Sequence, residues 1–168
     1  MVIVVMGVSG SGKSTLARAL AEAWNWDFQE GDELHPPANI DKMRAGLALD
    51  DDDRRPWLER VAAWIAAELA RGRDGVVTCS ALRRRYRDRL RRAGAGVRFV
   101  CIELPPAELE RRLRLRRHFM PASLLDSQLR TLEVPDAAEN VLVVAGEDAT
   151  ADIVATVRRW LEQGDAAG

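Results

Sequence analysis

The chain lacks the features that would place it in a membrane or carry it out of the cell. Nowhere do roughly 18 apolar residues run together, as a membrane-spanning helix requires. The opening stretch MVIVVM is too short for the apolar centre of a signal peptide and runs straight into glycine. Cysteine is scarce as well. Cys79 and Cys101 lie in the short β-rich stretches VVTCSA and VRFVCIEL, which argues for buried, reduced thiols rather than a disulfide framework. A cytoplasmic protein is expected.

An excess of one charge is also missing. The 25 basic residues face 26 acidic ones, for a net charge of −1, so no overall field draws the protein to nucleic acid or an anionic surface. Lysine is confined to Lys13 and Lys42, and all other basic residues are arginine. No repeat and no low-complexity linker interrupts the chain, and 168 residues suit one domain burying about 70% of its unfolded surface.

What is present is an alternation of short apolar runs with longer amphipathic ones, the pattern of a parallel sheet covered by helices. Strands are expected near 2–6, 27–30, 75–79, 97–103 and 140–144. Helices are expected over 13–24, 37–45, 56–71, 83–93, 106–115, 121–132 and 150–163. In the helix at 56–71, Trp57, Leu58, Val61, Trp64, Ile65 and Leu69 share one face. The acidic run at 50–53 and Pro56 suit its first turn. The closing GDAAG reads as a frayed tail.

Residues 7–14, GVSGSGKS, fit the spacing G-x-x-x-x-G-K-[ST], with an apolar strand before and the helical pattern STLARALAEAW after. In such a loop, backbone N–H groups and a helix N-terminus cradle phosphate, Lys13 reaches the γ-phosphate and the Ser14 hydroxyl ligates Mg²⁺. A nucleoside triphosphate with Mg²⁺ is therefore the expected ligand. The motif alone leaves GTPase, ATPase and kinase open.

In an open parallel sheet the ligand lies beyond the carboxyl ends of the strands. The second strand is followed by EGDELHPPANIDKM, which brings Asp32 to the crevice. There it can accept the proton of an attacking hydroxyl, help order Mg²⁺, or cap a turn. His35, ahead of two prolines, reads either as a turn residue or as a substrate contact. The third strand ends in Thr78, Cys79 and Ser80 with no acidic residue, which argues against a GTPase or motor ATPase that holds its metal with such an aspartate. Ser80 and Arg83 stand at the crevice, and Arg84, Arg85 and Arg87 read as a solvated helix face. The arginine-rich stretch RRLRLRRHFMPASLL suits a lid over the triphosphate or a basic helix face. Nucleic acid is disfavoured, because no aromatic residues interleave the basic ones.

Taken together, GVSGSGKS, GDELHPPANIDKMRAGLALDDDDRRPWL, CSALRRRYRDRLR and HFMPASLLDSQLRTLEVP resemble the signatures of the gluconokinase family over residues 3–145. The resemblance implies ATP-dependent phosphorylation of gluconate at its C6 hydroxyl. It implies the P-loop α/β fold of nucleoside monophosphate and shikimate kinases, with a five-stranded parallel sheet in order 2-3-1-4-5. It also implies one kinase domain over 1–164, a substrate segment over 32–58, a lid over 111–122, a tail at 165–168 and, in many members, a homodimer.

Carried onto this chain, the resemblance assigns Gly7, Ser9, Gly10, Ser11, Gly12, Lys13, Ser14 and Thr15 to the triphosphate; a basic residue on the adenine falls among Arg112, Arg114 and Arg116, which helical spacing does not separate, with Arg112 and Arg116 taken as the nucleotide contacts. Asp32, His35, Lys42, Arg54, Ser80 and Arg83 fall to gluconate. Lys13, Asp32 and the lid arginine Arg117 take the catalytic roles, with Asp32 as base, and Ser14 takes the metal. Arginine at 83 replaces the family's usual lysine, and LRRHFM lacks the glycine of the usual lid. A shikimate kinase is argued against by GDEL, which has one acidic residue where D-x-D belongs. A nucleotide kinase, or a nucleotide-dependent binding module with no acceptor, are the remaining alternatives.

Overall fold

The structure is a computed structural model that describes residues 1–115 and 122–165. Its centre is the apolar run at the N-terminus. Strand β1 (Val2–Met6) is fully buried on both faces, as a central parallel strand must be. Around it stand β2 (Asp27–Gln29), β3 (Gly75–Thr78), β4 (Val97–Glu103) and β5 (Val141–Ala145). All pairings are parallel, in the order β2-β3-β1-β4-β5. The sheet matches the expected order, and strand ends shift by one residue.

The period of two along β1 divides the core. Val2, Val4 and Met6 point to one face, against Trp57, Val61 and Ile65 of α3 (Asp51–Ala70) and Tyr86 and Leu90 of α4 (Arg84–Arg91). Ile3 and Val5 point to the other, against Leu16 and Leu20 of α1 (Lys13–Trp24) and Ile153 and Val157 of α7 (Thr150–Asp165). A third cluster, with Val8, Leu82, Leu109, Leu113 and Leu125, seats α5 (Pro106–Arg114) and α6 (Ala122–Thr131) beyond the carboxyl end of the sheet. The helix α2 (Pro37–Arg44) precedes α3. Among the described residues no helix is long and apolar enough to cross a membrane.

Three expectations are corrected. The helix expected from 56 begins at Asp51, because Asp50 caps it. The Asp53 N–H donates to Asp50 Oδ1 at 2.9 Å, and the Asp50 N–H donates to Asp53 Oδ2 at 2.8 Å. Pro56 thus lies inside the helix rather than in its first turn, where its missing N–H leaves the Asp52 carbonyl without that helical partner. Arg87 is not on a solvated face either. It is fully buried, and its guanidinium forks onto Glu139, Nε to Oε2 at 2.6 Å and Nη2 to Oε1 at 2.7 Å. This pair ties α4 to the turn before β5, and the Arg87 contact holds the Glu139 carboxyl down to about 2. Both cysteines are free and buried, and burial pushes each thiol up to about 12. They are inert at neutral pH. The last helix runs to Asp165, beyond the expected 163.

Candidate active site

The loop between β1 and α1 winds through positive φ at Gly7, Gly10 and Gly12. Gly12 matters most, because at φ 100° it turns the chain into the first turn of α1, a conformation a side chain would strain. The Lys13 ammonium donates to the Val8 carbonyl at 2.9 Å, so its side chain arches back over the loop. The Ser11 hydroxyl oxygen is buried with no hydrogen-bond partner among the described residues. Ser14 and Thr15 are exposed on the first turn of α1. Backbone donors, a helix N-terminus and an ammonium converge here as a phosphate requires.

Asp32 is delivered to the same place by a tight contact under Gly31. The Gly31 N–H donates to Thr78 Oγ1 at 2.8 Å, and its carbonyl accepts from Trp57 Nε1 at 2.7 Å. A Cβ at residue 31 would sit 1.8 Å from the Thr78 carbonyl oxygen, so only glycine fits between β3 and α3. The chain then turns through a short 3-10 segment, Gly31–Leu34, which holds Asp32 beyond the sheet.

One cavity joins these parts. Ser9, Lys13, Asp32, His35, Arg54 and Ser80 all line it, with Met43, Leu47, Leu49, Trp57 and Leu124 as its apolar wall. His35 is buried, and burial lowers its pKa first of all; Asp32 pulls it up and Arg54 pushes it down. Its tautomer follows from Asn39. The Asn39 amide nitrogen donates to the Asp53 carbonyl at 2.8 Å and lies 3.2 Å from His35 Nδ1, so Nδ1 accepts and the proton sits on Nε2. Arg54 is only 7% exposed, its guanidinium 5.9 Å from the Tyr86 ring centroid. No carboxylate pairs with it among the described residues, so this buried cation opens toward the cavity uncompensated.

Two residues expected on the acceptor lie elsewhere. The Lys42 ammonium is turned to Asp53 at 2.5 Å and Asp50 at 3.6 Å, where it ties α2 to the cap of α3, and the Asp53 contact raises its pKa. Arg83 sits at the N-cap of α4, its Nε 3.7 Å from Asp51, which also accepts from Arg85 and Tyr86. Neither lines the cavity. Arg112 borders a second hollow with Ser11, Gly12 and Thr15. There it is held by Glu108 at 2.7 Å and the Gly146 carbonyl at 2.8 Å. Arg116, Arg117 and half of the expected lid, residues 116–121, fall outside the described residues.

Sequence reading missed Gln128 and Ser127 of α6, both in the cavity wall. Both lie in the stretch that carries the family likeness, but without the fold nothing in SLLDSQL singles out an amide and a hydroxyl. It also read Trp57 only as a core residue.

The donor set suits Mg²⁺. No group of three or more His, Cys, Asp or Glu among the described residues could cage a metal. The exposed Ser14 hydroxyl beside the phosphate cradle fits an ion that keeps waters and is held mainly by substrate phosphates.

Known proteins resemble this chain in sequence and in fold. The family described as an AAA domain matches residues 2–135. The gluconokinase of Gluconobacter oxydans (strain 621H) is 53% identical over 146 residues, 86% of this chain and 82% of that one. The crystal structure of a gluconokinase from Sinorhizobium meliloti 1021 superposes with a TM-score of 0.84 at 47% identity, covering 96% of this chain and 91% of that one. An unliganded sugar kinase from Janibacter sp. HTCC2649 superposes with a TM-score of 0.90 at 41% identity, covering 96% and 94%.

Proposed function

Because the chain belongs to the AAA-domain family and to the gluconokinases, we propose that it transfers the γ-phosphoryl group of ATP to the C6 hydroxyl of gluconate. The observation that carries this is the single cavity in which the phosphate-loop Lys13, the carboxylate of Asp32 and the buried Arg54 meet. A sugar acid has an alcohol at one end and a carboxylate at the other. The cavity offers a base beside the phosphate loop for the first and, for the second, a guanidinium with no carboxylate partner among the described residues.

The C6 oxygen attacks the γ-phosphorus in line, the bond to the bridging oxygen breaks, and ADP leaves. Asp32 orients the hydroxyl and takes its proton as the transfer completes. Lys13 offsets the charge that builds on the transferring oxygens, and loop N–H groups hold the β-phosphate. The Ser14 hydroxyl would hold Mg²⁺, which would supply positive charge to neutralise the triphosphate. Neutral His35 presents Nε2–H to an acceptor hydroxyl, Arg54 takes the carboxylate, and Ser80 adds a polar contact. Arg112 serves the nucleotide. Arg116 and Arg117, in a lid over 111–122, supply further positive charge and exclude water.

Domain boundaries follow the same reading, as one kinase domain over 1–164 with the acceptor segment at 32–58. So do a homodimer and a cytoplasmic location; sedimentation of the purified protein checks the former.

The test is ADP release from Mg²⁺-ATP with gluconate, shikimate, AMP or no acceptor. Stimulation by gluconate alone supports the proposal. Equal rates in all four overturn it in favour of a nucleotide-binding module.

A further inference from the structure

We infer that Gln128 positions the phosphate loop with one end of its amide and recognises an acceptor hydroxyl with the other. The inference rests on the gluconate reading above. The Ser9 N–H of the loop donates to Gln128 Oε1 at 2.7 Å. A backbone N–H can only donate, so the amide cannot be flipped and Nε2 is committed to the opposite branch. Gln128 lines the same cavity as Lys13, Asp32 and Arg54, and Nε2 has no hydrogen-bond partner among the described residues. Two donor hydrogens are thus held at a cavity whose expected occupant is rich in hydroxyls.

The side chain is well anchored for this work. Leu124 and Leu125, one turn earlier on α6, are buried. The segment after α6 is tied to the β3–α4 connection, with the Glu133 N–H donating to the Leu82 carbonyl at 2.7 Å and Arg87 Nη1 donating to the Glu133 carbonyl at 3.0 Å. Helical spacing then turns residues 124 and 128 toward the cavity together. Because one amide touches both the loop and the acceptor site, it sets the distance between the two reactants. That makes Gln128 a positioning residue as well as a specificity contact.

The test uses the full-length enzyme with Gln128→Met, which removes both contacts, and Gln128→Glu, which keeps an acceptor for Ser9 N–H but removes the donor. Each is assayed on gluconate and on gluconates lacking one hydroxyl at C2, C3, C4 or C5. We expect kcat/KM on gluconate to fall about 10-fold or more in both variants; on the one deoxy acceptor that lacks the partner hydroxyl the penalty vanishes in Gln128→Glu and shrinks in Gln128→Met, where the lost loop contact keeps a residual cost. An equal penalty on every acceptor, or none at all, overturns the inference. Should Gln128→Met fail to fold, Gln128→Glu carries the same comparison. A wild-type enzyme inert toward gluconate overturns the underlying reading instead, so the two failures are told apart.

Discussion

The indole of Trp57 lies against the imidazole of His35, ring centroids 4.2 Å apart and planes 13° from parallel. Since Trp57 also donates to the Gly31 carbonyl, one side chain from the core helix α3 sets both the histidine of the cavity and the turn that carries Asp32. Trp57→Phe keeps an aromatic ring but takes the indole donor away from the buried Gly31 carbonyl. We expect a loss of about 1–3 kcal/mol in urea unfolding together with a lower kcat, both read on the same preparation.

Asp32→Asn keeps the shape and removes the base. The expected fall in kcat is about 10²-fold or more, with little change in stability for an exposed side chain. Near-normal turnover in a gluconate-dependent ADP assay would remove Asp32 from that role.

His35 gives folding a pH dependence whose sign can be worked out. Burial depresses its pKa below the ordinary 6.5, so as pH falls the unfolded chain takes up the proton first. The stability contributed by the neutral ring is complete above 6.5 and is lost as pH falls through the depressed folded value. Urea unfolding between about pH 7 and 5 should show this slope in the wild type and a shallower one in His35→Gln.

Lys42 and Arg54 separate a structural cation from a ligand-facing one. Lys42→Met should leave KM for gluconate unchanged, because its ammonium is committed to Asp53 and Asp50. Arg54→Met should raise that KM about 10- to 100-fold, as loss of a charged hydrogen bond implies. Steady-state kinetics on the two variants, side by side, decides the assignment.

Glu139→Gln leaves the buried Arg87 charge unpaired and should cost about 3–5 kcal/mol, measured by denaturant unfolding. The wild-type pair has its own acid signature. With the Glu139 carboxyl depressed from 4.5 to about 2, its stabilisation is present above 4.5 and drains away as pH falls toward 2.

Much of this protein is local in its chain. The apolar run before GVSGSGKS and the helical pattern after it define strand, loop and helix through contacts between near neighbours, and loop, Lys13 and Ser14 could be read together. Asp32 was legible because a residue just past a parallel strand must face the crevice. The start of α3 was not, since Pro56 looks like a first-turn residue until the reciprocal Asp50 and Asp53 hydrogen bonds extend the helix ahead of it.

The sequence by itself determined the five strands, the phosphate loop and the acidic residue beside it, because these follow from periodicity, backbone freedom at glycine and spacing. Only the tertiary structure decided which arginines matter and how. Arg87 is buried on Glu139, Arg54 opens to the cavity, Arg83 and Lys42 turn away, and Gln128 reaches back 119 residues to the loop. A charged side chain reads the same in any helix; its role is set by whether a distant element brings it a carboxylate, a carbonyl or an empty space.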